Sequence, residues 1–334
     1  MRAEILIIGQ GIAGTLLAWE FERAGISFAI ADPNPDAAVS RIAAGIINPI
    51  TGRRLVKSWR VDALLPAARV AYQEISATLG VSLWRELRVR RVFADERERQ
   101  VAEEKFRSGE LAPFVASPPD AGGFWIEHAA RVDFAGLLRA ARERWKKQGT
   151  WRNESANLRD VTDRHFLVID CTGLAGAHSG IFDFVPWKFS KGEILAVSVE
   201  GLVPDVVFND GHWALPVAPG AAWIGATHQP QFDDALPSTE GRAALEAAAA
   251  RLLQRSFAVT GHFSGVRVNL PDKRPVAGRH PGNSRIGLVN ALGAKGALWA
   301  PMLARQWMNH LTEGVDFNAE IGLERFSGRA AESR

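Results

Sequence analysis

Apolar residues fall into three patterns along the chain, and each predicts a kind of element. Short unbroken runs at Ile5 to Ile8, Phe28 to Ala31 and within His165 to Asp170 (HFLVID) predict strands buried on both faces. Helical spacing is seen in Leu16, Leu17, Phe21 and Ala24, and Gly25 then stops the pattern. The same spacing recurs over Val61 to Leu79, through Leu64, Leu65, Ala68, Ile75 and Leu79; Pro66 is read as lying near the first turn, where proline is tolerated. It recurs again after Asp133, a capping residue, with Phe134, Leu137, Leu138, Ala141 and Trp145 facing inward as far as about Gln148. Arg88 to Ala94 and Phe124 to Glu127 read as strands.

From Glu193 the pattern changes. EILAVSV, DVVFN, HWALPV and AAWIGAT are short strands separated by glycine and proline, which predicts an antiparallel sheet and a second domain. Ser238 is placed to cap an alanine-rich helix reaching about Gln254. A last strand, Ile286 to Asn290, leads through ALGAKG into a helix from near Ala297 to about Leu311. The architecture is therefore interleaved, with one domain begun by the N-terminus and finished by the C-terminus.

The opening stretch carries the first chemistry. A strand, the turn Gly9-Gln10-Gly11-Ile12-Ala13-Gly14, a helix, a second strand and a terminal Asp32 form the dinucleotide-binding pattern. Gly9 permits the tight turn, Gly11 admits a pyrophosphate to the backbone, and Gly14 lets helix and strand pack closely. The helix N-terminus offers free N–H groups and the positive end of its dipole. Asp32 is placed to accept hydrogen bonds from a ribose. Thr172 and Gly173, ending another buried strand, suit close approach to a ligand.

Composition narrows the partners. The 334 residues are enough to bury two domains. No apolar run reaches membrane-spanning length, and the first strand starts too early to leave room for a signal peptide, so a cytoplasmic protein is expected. Cys171 is the only cysteine, which excludes internal disulfides and cysteine metal clusters; no metal site is expected. Net charge is only +3. Basic clusters at 53–60, 85–91 and 139–147 are interleaved with acids and read as solvated faces; a nucleic-acid surface is the sharper alternative. Most of the eleven tryptophans are expected in the core, a few at an apolar site.

An ordered set of segments resembles the D-amino-acid oxidase-like family of FAD-dependent amine oxidoreductases, which includes glycine and sarcosine oxidases. The set is GQGIAG with Asp32, SRIAAGIINP, DCTGLAG, KGEIL, WIGAT, GVRVNLPDKRPVAG and NALGAKGALWAP. The same motifs are similar to those of the FAD-oxidase half of bifunctional tRNA wobble-uridine enzymes. The resemblance implies an α/β fold: a Rossmann-like FAD-binding domain (1–80, 128–180 and 265–334) with an inserted antiparallel-sheet substrate domain (81–127 and 181–264).

It also implies roles. Non-covalent FAD would lie along Gly9, Gly11, Ile12, Ala13, Gly14 and Asp32. It would pass the loop Ser40 to Asn48, chiefly Arg41, Ala43, Ala44 and Gly45, and be flanked by Thr172 and Gly173. The pyrimidine end of the flavin would meet Gly293, Ala294, Lys295, Gly296 and Ala297, where a helix N-terminus and a lysine stabilise the negative charge of the reduced ring. Arg267 matches the position at which glycine oxidase-like members anchor a substrate carboxylate, although Val268 stands where they have proline. His212, Trp213, Lys188 and Trp187 are candidates for the substrate wall, with His212, Lys295 and Arg267 the candidate catalytic residues. Cys171 reads as a buried thiol, not a flavin tether.

The expected reaction is oxidation of the C–N bond of a primary or secondary amine, an amino acid in the first instance. Hydride passes to flavin N5, and oxygen or another acceptor takes the electrons onward. The alternatives are oxidation of an amine on a tRNA wobble uridine and a non-catalytic flavoprotein.

Overall fold

A computed structural model describes residues 5–328. Two sheets dominate it. The first has strand order Val276–His280, Asn283–Asn290, Leu167–Asp170, Ile5–Ile8, Phe28–Ala31, Trp151–Arg152. All neighbours in it are parallel except the Val276–His280 and Asn283–Asn290 hairpin. The three runs read as doubly buried strands occupy its centre, and every residue of the first two is buried.

Helices cover one face of this sheet, and turns with a short 3-10 helix cover the other. Ile12–Arg23 and Gly296–Glu313 pack on one side with Phe21, Trp145, Leu303 and Trp307 between helix and sheet. Phe182, Phe184, Val185 and Leu323 cover the other. Asp133 caps Phe134–Gln148 by accepting from the Gly136 N–H at 3.2 Å, and Ser238 caps Thr239–Leu253 through Gly241 at 3.0 Å.

The second sheet runs Ala258–Asn269, Lys188–Ser198, Ala221–Gly225, Trp213–Ala218, Val206–Asn209, Trp84–Val92, Gly123–Val132, Ile46–Ile47. Helix Thr239–Leu253 packs on one of its faces, burying Leu245, Ala248, Ala249 and Leu252 against Leu195, Ala214 and Ile224. The sheet is antiparallel save for one interior pair: Val206–Asn209 lies parallel to Trp84–Val92, because a long crossover instead of a hairpin connects them.

Three local expectations change. Pro66 sits inside helix Val61–Leu79, past its first turn, on the exposed side together with Asp62, whose carbonyl the missing N–H would have bonded. The strands read at 88–94 and 124–127 are longer, spanning Trp84–Val92 and Gly123–Val132. A helix with no apolar signature, Glu96–Arg107, lies between them. It is held by a buried ion pair from Glu98 to Arg91, which also bonds the Asn209 side chain.

Candidate functional site

The glycine-rich turn is closed by its own backbone. A Cβ on Gly14 would lie 2.0 Å from the Gly9 carbonyl oxygen, and one on Gly9 would lie 3.0 Å from the Cys171 backbone. Gly9 has φ of +94°. The helix start at Ile12 has no cap from its own Ncap residue, Gly11; instead the Ile12 N–H donates to the Ser40 hydroxyl at 3.1 Å. Ser40 thus carries the 40–48 loop across the helix N-terminus. Asp32 is buried and accepts from the Gln10 N–H (2.7 Å) and the Asn34 N–H (3.0 Å), one on each carboxylate oxygen. Each oxygen keeps a lone pair for a further donor.

The other expected cofactor residues gather at the same sheet edge. The Cα of Thr172 borders Gly9. The Thr172 hydroxyl and N–H both bond Asp170, whose carboxyl burial pushes above its ordinary value. The Gly173 carbonyl accepts from Asn290 Nδ2 at 2.8 Å, which ties this turn to the end of strand Asn283–Asn290. Burial also pushes the Cys171 thiol well up, and the nearby Asp170 adds to this, so it stays neutral. Arg41 points outward to Asp36, which Arg142 shares. Gly45 has φ of +70° and would place a Cβ 2.0 Å from the Val132 carbonyl, so only glycine fits where the 40–48 loop, with Ala43 and Ala44, docks on the second sheet.

The 293–297 segment meets both sheets. The Gly293 N–H donates to the Val268 carbonyl at 3.0 Å, beside Arg267, and Gly296 borders Ile12 at the first helix start. Helix Gly296–Glu313 has no side-chain cap. The N–H groups around Ala297 and Ala294 therefore leave a positive dipole end free for an anionic or electron-rich group. Lys295 is half-buried; its amine donates to Ser58 Oγ (2.7 Å) and Thr51 Oγ1 (3.3 Å), and desolvation, with Lys273 nearby, pushes its pKa down to about 8.

Strand register defines the face opposite. Ser190 pairs with Arg267, Gly192 with Gly265, and Ile194 with both Phe263 and Gly225. Trp213 pairs with Gly225, and Trp223 with Ala196 and Leu215. Directly paired residues share a face, so Arg267, Phe263, Trp213 and Trp223 project to one side. A Cβ on Gly265 would meet Val39 and Ile42, so this side faces the 40–48 loop. The Arg267 guanidinium lies flat over Gly192, where a Cβ would clash at 2.0 Å, and donates to the Thr227 carbonyl at 3.2 Å. Burial lowers its pKa, and among the described residues no carboxylate lies within salt-bridge distance.

His212 is not brought to this face. It precedes Trp213 in a turn where its N–H bonds Asp210, and Asp210 pairs with Arg251 of helix Thr239–Leu253 on the far side. The register instead adds a residue the sequence reading passed over. Trp213 pairs with Asn209, Asn209 with Arg91, and Arg85, on the Arg91 face of the same strand, with Arg131. Arg131 therefore joins the Arg267 face, and its guanidinium lies 5.5 Å from the Trp223 ring.

These residues fit an extended dinucleotide with a flavin end. The turn is too tight for any Cβ at Gly14, a buried carboxylate retains acceptor capacity, and an uncapped helix N-terminus with a half-buried lysine closes the far end. Among the described residues no group of histidines, cysteines and acids is arranged to hold a metal, and no helix is long and apolar enough to cross a membrane.

Comparison with known proteins agrees. Residues 4–308 match the family described as FAD dependent oxidoreductase. The chain is 30% identical to the tRNA 5-methylaminomethyl-2-thiouridine biosynthesis bifunctional protein MnmC of Maricaulis maris, over 99% of this chain and 56% of that protein. It is 28% identical to glycine oxidase of Pseudomonas putida over 38% of this chain and 36% of that one. The chain thus spans about half the length of the bifunctional relative. Its fold superimposes on iminodiacetate oxidase from a Chelativorans species (TM-score 0.75, 20% identity, 96% of this chain and 98% of that one). It also superimposes on glycine oxidase from Geobacillus kaustophilus (TM-score 0.76, 19% identity, 97% and 98%).

Proposed function

The chain belongs to the family of FAD-dependent oxidoreductases, and on that premise we propose that it oxidises the C–N bond of a primary or secondary amine that carries a carboxylate, as an amino acid does. The observation that carries this reading is Arg267: a half-buried guanidinium without a carboxylate partner among the described residues, beside the 293–297 turn and facing the 40–48 loop. FAD, when bound, supplies the acceptor for the hydride that leaves the carbon bearing the amine.

The protein's own contribution is placement. The planar fork of Arg267 holds a carboxylate by two parallel bonds and so fixes the carbon next to it. Trp213, stacked over Gly225, and Trp223 supply an apolar wall that keeps water from the reacting bond. The uncapped helix start at Gly296 and Ala297, and Lys295 behind it, are assigned to the electron-rich end of the flavin. Gly9, Gly11, Gly14 and Asp32 are assigned to the pyrophosphate and ribose.

Anaerobic mixing of the FAD-loaded protein with a panel of amines, read as bleaching of the flavin absorbance, tests the function. Carboxylate-bearing amines are expected to reduce the flavin. R267A should weaken them by about 10²-fold or more while retaining flavin, the scale for removing one partner of a buried charged pair. Unchanged affinity in R267A removes the anchor.

A second reading has one observation behind it: similarity to MnmC over almost the whole of this chain. An amine on a tRNA base would then be the substrate. The basic clusters give little support, since Arg53, Arg88, Arg90, Arg91 and Arg144 are paired with Asp95, Glu127, Asp120, Glu98 and Glu22. Salt-dependent binding of tRNA distinguishes the two readings.

A further inference from the structure

The face that holds Arg267 ends in a second guanidinium that makes no close ion pair among the described residues. Arg131 lies on the far side of the two tryptophans. Its Nε donates to the Ala44 carbonyl at 3.3 Å, and its guanidinium rests against the Trp223 ring. Its two terminal nitrogens have no hydrogen-bond partner among the described residues, and no carboxylate lies within ion-pair distance. Asp133, whose charge acts on Arg131 from beyond ion-pair distance, holds the Gly136 N–H with one carboxylate oxygen as the cap of helix Phe134–Gln148. Arg85, directly across the strand pair, adds a like charge and is itself turned to the Pro216 carbonyl. Beside them is a cavity of about 150 Å³ lined by Ser82, Leu83, Arg85, Arg131 and Asp133.

A partly buried arginine on an aromatic face, repelled by a second arginine and short of acceptors, costs free energy unless an anion completes it. Arg267 reaches Thr227, and Arg131 lies against Trp223. The Arg267 guanidinium lies over Gly192, and Trp223 pairs with Ala196; four residues of strand Lys188–Ser198 separate Gly192 from Ala196, on the order of 13 Å. Trp213 and Trp223 form the apolar floor between.

We propose that Arg131, stacked on Trp223, is a second oxyanion anchor of the substrate site. The amine acted on would then carry two anionic groups, one at Arg267 and one, a carboxylate or a phosphate, at the opposite end. This inference rests on the amine-oxidation reading of the same site and specifies its substrate class. Trp223 lies against the planar Arg131 fork, and the two terminal nitrogens are left for a bidentate oxyanion in preference to a neutral group. The separation favours a spacer of several methylenes over the shortest diacid amine.

The test uses the FAD-loaded protein and a series of N-(carboxyalkyl)glycines of increasing chain length, each with its terminal amide as the neutral control. A phosphonate-ended member separates phosphate from carboxylate preference. Binding is read by calorimetry, and turnover by anaerobic flavin reduction. The wild type is expected to favour acid over amide by at least 10-fold, most strongly for the longer members. R131Q collapses that ratio toward one, and R131K, which keeps the charge but not the fork, retains part of it. Flavin content and melting temperature verify that the variants fold. Equal binding of acid and amide by the wild type overturns the proposal. So does an R131Q that weakens both alike, the mark of a residue that only supports the Ala44 loop. If no amine reduces the flavin yet the acid preference in binding persists and depends on Arg131, the amine reading fails while the second anchor stands.

Discussion

Replacing Lys295 by methionine tests the desolvated amine directly. In the folded chain its pKa is about 8, against an ordinary 10.5, because burial disfavours the charged form and Lys273 adds repulsion. The hydroxyls of Ser58 and Thr51 accept from it but are neutral. The difference in pKa corresponds to about 3 kcal/mol of cost for the charged form. The folded value is the lower one, so between about pH 8 and 10.5 the unfolded chain binds more protons, and wild-type stability rises with pH through that window. Below pH 8 both states are charged and the full cost is felt. K295M removes the charge, keeps the apolar stem and loses two hydrogen bonds of about 1 kcal/mol each. FAD-free K295M should therefore be more stable than FAD-free wild type at pH 7 by about 1 kcal/mol. It should be the less stable of the two at pH 10.5, a swing of about 3 kcal/mol. Thermal or urea unfolding of both proteins across this range measures the difference, and titrations common to both cancel. With FAD bound at the assigned place, the amine is held charged and the window moves to higher pH. A stability difference that is constant within about 0.5 kcal/mol from pH 7 to 10.5 refutes the reasoning.

Two further outcomes follow from the same geometry. G14A places a methyl 2.0 Å from the Gly9 carbonyl oxygen, which forces helix and strand apart at a cost of about 1–3 kcal/mol. The purified variant should be pale, and a flavin-to-protein absorbance ratio equal to wild type would contradict it. E98Q uncouples the buried Arg91–Glu98 pair that holds helix Glu96–Arg107. It should lower stability in urea by about 3–5 kcal/mol, whereas R91M/E98L together should recover most of the loss.

What could be read from the chain alone depended on how local each cause was. The Gly9–Gly14 turn, Asp32 and the Asp133 and Ser238 caps act within a few residues, and their chemistry is written in residue type and spacing. Helix Glu96–Arg107 was invisible because its stability comes from elsewhere. Only Glu98 and Ala102 are buried, and Glu98 is buried because Arg91 on a neighbouring strand receives it. Pro66 was placed one turn early because its tolerance depends on which side of the helix meets water. Arg131 falls outside the basic clusters and past the strand read at Phe124 to Glu127, so nothing in the chain marks it. Its position against Trp223 arises from a sheet that brings together strands far apart in sequence. No periodicity encodes that. The Arg267 assignment came through resemblance to a family; that the residue is half-buried without a carboxylate partner is visible only in the structure.

Both tryptophans of the substrate face lie on one antiparallel hairpin, Trp213–Ala218 with Ala221–Gly225, joined by a short turn at Gly220. The two arginines at its ends belong to other strands, and the nucleotide-binding turn belongs to the other sheet. For protein engineering this is a separation of concerns. A combinatorial library confined to that single hairpin re-shapes the floor of the cleft while the charge anchors and the cofactor cradle keep their sequences. New amine specificities can thus be sought by exchanging one contiguous cassette.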